Sequence, residues 1–207
     1  MDLLLIRHGR TDWNEEPRVM GAKPIPLNEA GIAQARHLRD WLAQIEIHAV
    51  YSSPILRARQ TAGIIAEGRG DLKVIDEPGV AEIDYGDWIG LSFSEVAEKY
   101  QKEYQTYLTH PSKMRVPGGE QVAKVQKRAV GAVEKMKKKH AGGRVAVVSH
   151  ADVIKAILVH YLEIPLDAMQ RVGCDNGSLA IFRFGTEWGD RLAALNYFAD
   201  VNKIFPW

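Results

Sequence analysis

Arg7 and His8 follow directly on the apolar run Leu3 to Ile6, with Gly9, Thr11 and Asn14 close behind. A strand that only fills a core can end in any turn; this one ends by presenting a guanidinium and an imidazole together. Two other apolar runs finish in the same manner. Ala49-Val50-Tyr51 leads into Ser52-Ser53-Pro54, with Arg57 a turn later, and Arg144 to Val148 leads into Ser149-His150. Two arginines directed at one point are costly unless an anion sits between them, and a phosphoryl group matches their forked donors. His150 falls just before the start of a helical pattern, where free amides and the helix dipole also favour an anion. Neutral imidazole held against a phosphoryl group can attack phosphorus, giving a phosphohistidine that water later hydrolyses. Arginines and a second histidine would stabilise the equatorial oxygens meanwhile. The departing alkoxide needs a proton, so a carboxylic acid should overhang the pocket. Glu82, Asp84 and Asp87, in the glycine-rich stretch 76–91, are the candidates.

Singly, each of these groups has a structural reading: a lone imidazole caps a helix or fills a core, and a lone arginine is solvated on a helix. Their joint position at three strand ends is what points to catalysis. Carboxylates spaced as magnesium ligands are not evident near these strands, and no Cys/His cluster suggests zinc. A site with no metal and no cofactor is therefore expected. His48, His110 and His160 lack partners at metal-ligand spacing, and His37 lies off the apolar face of its helix.

The elements that must position these groups alternate between strand and helix. Leu3 to Ile6 reads as a central strand buried on both faces. A helix is predicted over Asn28 to Ile45, a second strand at Ala49 to Tyr51, a helix opened by Pro54, and a short strand at Lys73 to Ile75. Ser92-Phe93-Ser94-Glu95 matches a capping box and starts another helix. A long helix spans Glu120 to His140, with Val122, Val125, Ala129, Val133 and Met136 on one face. Strand Arg144 to Ser149, helix Ala151 to Leu162, and strands near Ser178 to Phe184 and Arg191 to Tyr197 complete the chain. This order predicts a three-layer α/β/α sandwich with a mostly parallel central sheet, one domain over 1–207, and an inserted helical lid at about 76–120. In such sheets ligands sit beyond the carboxyl ends of the strands, so the three polar strand ends should share one crevice.

Composition sets the outer bounds. The 207 residues are 46% hydrophobic and 26% charged, with a formal net charge of +1, which argues for neither nucleic-acid nor membrane binding. The single cysteine, Cys174, excludes an internal disulfide and suits a reducing compartment. The short N-terminal apolar run does not read as a secretory leader, so a cytoplasmic protein is expected.

At these residues the chain resembles the histidine phosphatase superfamily, the phosphoglycerate-mutase-like proteins. LIRHGRTDWN (Leu5 to Asn14) matches the family's Arg-His-Gly signature, and PLNEAGIAQA (Pro26 to Ala35) the segment that follows it. YSSPILRARQTA (Tyr51 to Ala62) resembles the second arginine motif, EIDYGDWIG (Glu82 to Gly90) the acid loop, and VVSHADVIKAIL (Val147 to Leu158) the second histidine motif. PGGEQV (Pro117 to Val122) also has the family's look, and the match runs in order through most of residues 2–160. The resemblance implies His8 as nucleophile, Glu82 as proton donor, His150, Arg7 and Arg57 as the phosphate pocket, and Asn14 and Thr11 as phosphate or substrate contacts. Two departures stand out. Ile89 occupies a position where relatives usually carry Glu or Gln, and the segment Gly21 to Pro26 lacks the aspartate usual before Pro-Leu.

The function expected is a metal-independent phosphomonoesterase acting on a small molecule through a phosphohistidine. The alternative within the family is a cofactor-dependent phosphoglycerate mutase; the compact 92–116 region and the end at Trp207 favour hydrolysis. A non-catalytic phosphate-binding module is disfavoured because His8, His150, Arg7, Arg57 and Glu82 are all retained. Tyr85, Trp88, Tyr100, Tyr104 and Tyr107 either line the pocket or pack a helix against the body, and the oligomeric state is unreadable.

Overall fold

In a computed structural model that describes residues 1–198, a six-stranded sheet runs in the order β3-β2-β4-β1-β5-β6. Its strands are β1 (Asp2–Arg7), β2 (Ala49–Ser52), β3 (Val74–Asp76), β4 (Arg144–Ser149), β5 (Leu179–Thr186) and β6 (Gly189–Tyr197). The first four are mutually parallel, whereas β5 runs antiparallel to both β1 and β6. The helices are α1 (Asp12–Glu15), α2 (Glu29–Leu42), α3 (Leu56–Ala66), α4 (Phe93–Lys99), α5 (Gln101–Thr109), α6 (Val122–Lys139) and α7 (Ala151–Tyr161). Residues 199–207, the last part of the expected 1–207 domain, lie outside the described residues.

Period-two alternation splits the core between the two sides of the sheet. Leu4, Ile6, Val50, Ala146 and Val148 face α2 and α3, meeting Leu38, Leu42, Ala58, Ala62 and Ile65. Leu3, Leu5, Val145 and Val147 face the other way, toward Val125, Ala129, Val133 and Met136 of α6 and Val153 and Ile157 of α7. This is the expected three-layer sandwich. Leu3 to Ile6 are at most 1% exposed, so each contributes roughly 1.5–3 kcal/mol of transfer free energy. The region between β3 and α6 is not a detached lid: Val80, Ile83, Trp88, Val96, Tyr107 and Met114 share the same core.

Local chemistry moves some boundaries. Asn28 caps α2 by accepting the Gly31 N–H at 2.9 Å, and the helix stops at Leu42, short of the expected Ile45. Pro54 does not open α3. The chain bends at Pro54 and Ile55, the Ser53 hydroxyl accepts the Ile55 N–H at 3.3 Å, and Ile55, extended in its own backbone, precedes a helix that begins at Leu56. The Ser92–Glu95 capping box forms as read. No helix among the described residues is long and apolar enough to cross a membrane.

Candidate active site

His8 leaves the end of β1 fully committed. Its Nδ1 donates to its neighbour's carbonyl, Gly9 O, at 2.7 Å, which leaves the Nε2 lone pair free. That lone pair accepts from Arg57 Nε at 3.1 Å. Burial, then the charges of Arg57 and Arg7, hold the His8 pKa well below the ordinary 6.5, so the ring is neutral at physiological pH. The turn beneath it is clamped by two glycines: a Cβ on Gly9 would overlap the carbonyl of Gly31, and one on Gly31 would overlap Arg10 O. Gly9 N–H also donates to Thr61 Oγ1 at 3.1 Å, tying the turn to α3.

Arg57 reaches this point from the first turn of α3 and is completely buried. Nη2 donates to Gly21 O at 2.9 Å and Nη1 to Lys23 O at 3.2 Å, so the segment that lacks the family's aspartate grips the guanidinium through its backbone. Ile89 supports this segment by packing, since a Cβ on Gly21 would lie 2.8 Å from Ile89 Cδ1. Arg57 Nη2 also meets His150 Nδ1 at 3.2 Å, while His150 Nε2 pairs with Ser53 Oγ at 2.8 Å. His150 is buried, too, and held neutral chiefly by desolvation. The two imidazole centroids are 5.2 Å apart.

The second arginine is anchored from an unexpected direction. Arg7 Nη1 donates to Cys174 O at 2.7 Å, and its buried Nε has no hydrogen-bond partner. A buried donor without a partner beside a cleft is costly unless a ligand supplies the acceptor. Asn14 Oδ1 accepts from the Thr11 N–H and hydroxyl, each at 3.1 Å, and from Asn176 Nδ2 at 3.3 Å, which turns the Asn14 amide nitrogen to the cleft. Thr11 itself does not line the cleft. It is buried, with its hydroxyl spent on Asn14 Oδ1 and Met20 Sδ, so the expected contact is corrected to support of Asn14.

Glu82 arrives from the loop after β3. Its Oε1 accepts the Ile83 N–H at 3.0 Å, and its Oε2 stands 3.7 Å from His150 Nδ1 and 4.0 Å from Arg57 Nη2. Burial outweighs the attraction of Arg57 and pushes its pKa up to about 7. A carboxyl near neutrality can both give and take a proton. Asp84 is half-spent capping Gly86 N at 3.0 Å on the exposed side of the loop. The loop is pinned by Trp88, which is buried among the rings of Tyr85, Tyr100, Tyr104 and Tyr107. Packing is thus the main use of these aromatics, although Tyr85 and Tyr107 also reach the cleft.

The cleft holds about 630 Å³ and is bordered by Arg7, His8, Asn14, Arg57 and Glu82. His150 is fully buried beside it, with Nδ1 3.2 Å from Arg57 Nη2. Among the lining residues that the sequence reading gave no role are Asp152, Lys155 and Asn176. The first two sit on α7, and Asp152 was visible only as the residue two beyond His150. Asn176 precedes an antiparallel strand, where the carboxyl-end rule gives no signal. Among the described residues, no three His, Cys, Asp or Glu side chains gather to hold a metal ion. Cys174 borders the cleft with a thiol that burial raises to about 11, which makes it unreactive.

The histidine phosphatase superfamily (branch 1) model matches residues 3–196. Phosphoserine phosphatase 1 of Hydrogenobacter thermophilus is 36% identical over 86% of this chain and 84% of its own. The 2,3-bisphosphoglycerate-dependent phosphoglycerate mutase 2 of Gloeobacter violaceus is 30% identical over 82% and 80%. Among solved structures, phosphoserine phosphatase from Entamoeba histolytica in complex with 3-phosphoglyceric acid superposes with a TM-score of 0.82 at 28% identity, covering 95% of this chain and 96% of that one. With the motifs in order, the sheet shared, and an imidazole between two arginines at its edge, the chain belongs to the histidine phosphatase superfamily and is a phosphoric monoester hydrolase.

Proposed function

We propose that this chain hydrolyses small phosphomonoesters, phosphoserine first among those to test, in two steps through His8 and without a metal. One observation carries the reading: His8 has spent Nδ1 on Gly9 O, so Nε2 is its only nucleophilic atom, and it faces the point where Arg57, His150 and Glu82 meet. A phosphoryl oxygen would compete for the Arg57 Nε–H that rests on this lone pair, so binding would give the guanidinium a partner and free the nucleophile together. Nε2 then forms the N–P bond as the ester O–P bond breaks, and the leaving oxygen takes the Glu82 proton. Arg7 Nε, the orphaned donor, Arg57 and His150 would bear on the equatorial oxygens. In the second step the Glu82 carboxylate accepts a proton from water, whose oxygen attacks phosphorus; the N–P bond breaks and inorganic phosphate leaves.

Relatives named phosphoserine phosphatase support the substrate, and the cleft offers both signs of charge, Lys155 and Arg10 against Glu15 and Asp175. The one cysteine suits a reducing, cytoplasmic setting. Rapid quench with 32P-phosphoserine tests the reading: an acid-labile, base-stable adduct should appear and be absent in His8→Ala. Undiminished turnover in His8→Ala, or no adduct, overturns it. The mutase reading, favoured by the Gloeobacter relative, shares the first step but passes the label to an acceptor alcohol instead of water. Product analysis separates the two.

A further inference from the structure

Asp152 has no part in the steps above, yet it is the most heavily engaged carboxylate in the cleft. It is 4% exposed, two residues after His150, in the first turn of α7. Its Oδ2 accepts the hydroxyl of Tyr85 at 2.7 Å and also the hydroxyl of Tyr107, while Oδ1 lies 3.6 Å from Lys155 Nζ. Tyr85 belongs to the loop of Glu82, three residues on, and Tyr107 to α5 of the inserted region. One carboxylate therefore joins the helix behind the phosphate pocket to both parts of the cover.

We propose that Asp152 is a positioning residue for Glu82, fixing the acid loop and α5 against the helix that follows His150. This rests on the reading of Glu82 as the proton donor. Besides geometry, Asp152 supplies charge. The groups facing Glu82 are Arg7 from β1, Arg57 from α3, His8 and His150 at the strand ends, Asp152 and Lys155 from α7, Tyr85 in its own loop and Tyr107 from α5. Arg128 of α6 donates to the Glu82 carbonyl at 3.1 Å. Arg57 and Arg7 favour the ionised acid, whereas the Asp152 charge opposes them, so it helps Glu82 keep its proton near neutral pH. Buried phenols beside an anion stay protonated and keep donating, as the raised pKa values of Tyr85 and Tyr107 require.

The test compares pH profiles of kcat/KM for phosphoserine, a poor leaving group, and 4-nitrophenyl phosphate, whose leaving group needs no proton. In Asp152→Asn the alkaline limb for phosphoserine should move to lower pH, with a loss of roughly tenfold at pH 8, while nitrophenyl phosphate changes less than about threefold. Tyr107→Phe, which keeps the charge and removes one donor, should leave the limb in place or raise it, and should lower the phosphoserine-to-nitrophenyl ratio several-fold. A limb that falls in Asp152→Asn but not in Tyr107→Phe is what a merely structural contact would not produce. An unmoved limb in Asp152→Asn, or equal loss on both substrates, overturns the proposal. Should Asp152→Asn fail to fold, an unchanged ratio in Tyr107→Phe overturns it alone. Glu82→Gln is the reference: if it spares phosphoserine as well as nitrophenyl phosphate, the proton-donor reading has failed; if it shows the selective loss and Asp152→Asn does not, only this inference has.

Discussion

Glu82→Gln should make the protein more stable, and only above a definite pH. The folded chain holds this carboxyl near pKa 7, against an ordinary 4.5, because it is buried more than Arg57 can offset. A group whose folded pKa is raised binds its proton more tightly when folded, so stability falls as pH rises through the interval between the two values. Below 4.5 both states are protonated and the group contributes nothing. Above 7 both states have lost the proton and the folded state holds a buried anion, and at about 1.4 kcal/mol per tenfold change in proton affinity the penalty is about 3 kcal/mol. Glutamine keeps the acceptor for Ile83 N–H and carries no charge at any pH. Urea denaturation of both proteins at pH 5 and pH 8 reads the effect. The variant should gain about 3 kcal/mol at pH 8 and less than about 1 kcal/mol at pH 5. Parity at pH 8, or a variant less stable there than the parent, refutes the claim that burial controls this group.

Other consequences can be measured directly. His8 and His150 are neutral because burial and neighbouring arginines depress their pKa values, so the acid limb of kcat/KM should lie well below 6.5, while Glu82 sets an alkaline limb near about 7 for alkyl phosphates only. An acid limb at or above 6.5 would contradict this. Gly31→Ala places a methyl group into the Arg10 backbone beneath the His8 turn and should cost about 3 kcal/mol in a urea melt, with lost turnover; a neutral result would show that α2 can retreat.

The frame of this fold was open to inspection because its signals are strong and local. Leu3 to Ile6 and Arg144 to Val148 are continuous apolar runs, and both are central strands; the long helix showed its buried face through Val122, Val125, Ala129, Val133 and Met136. His8, Arg57 and His150 followed from the rule about carboxyl ends of parallel strands. That rule is also the source of the omissions. Asn176 and the Cys174 carbonyl reach the site just ahead of β5, whose direction is reversed, and backbone acceptors carry no signature in side-chain chemistry. Asp152 was hidden by context: an acid in the first turn of a helix is ordinary as a dipole partner, and only the return of Tyr85 and Tyr107 from distant positions gives it another use. Thr11 came in with the family's motif, which names a position and not the direction its side chain turns; here the hydroxyl turns to Asn14 and Met20.

The Arg7–Cys174 contact spans 167 positions of the chain. On a ribosome, Arg7 and His8 emerge first, but the acceptor that orients Arg7 is made only after most of the polypeptide has been synthesised. A fragment ending before residue 173 carries the nucleophile and both arginines, yet has nothing to aim one of them. The aim of Arg7 is therefore set late, when β5 docks beside β1 and brings the Cys174 carbonyl with it.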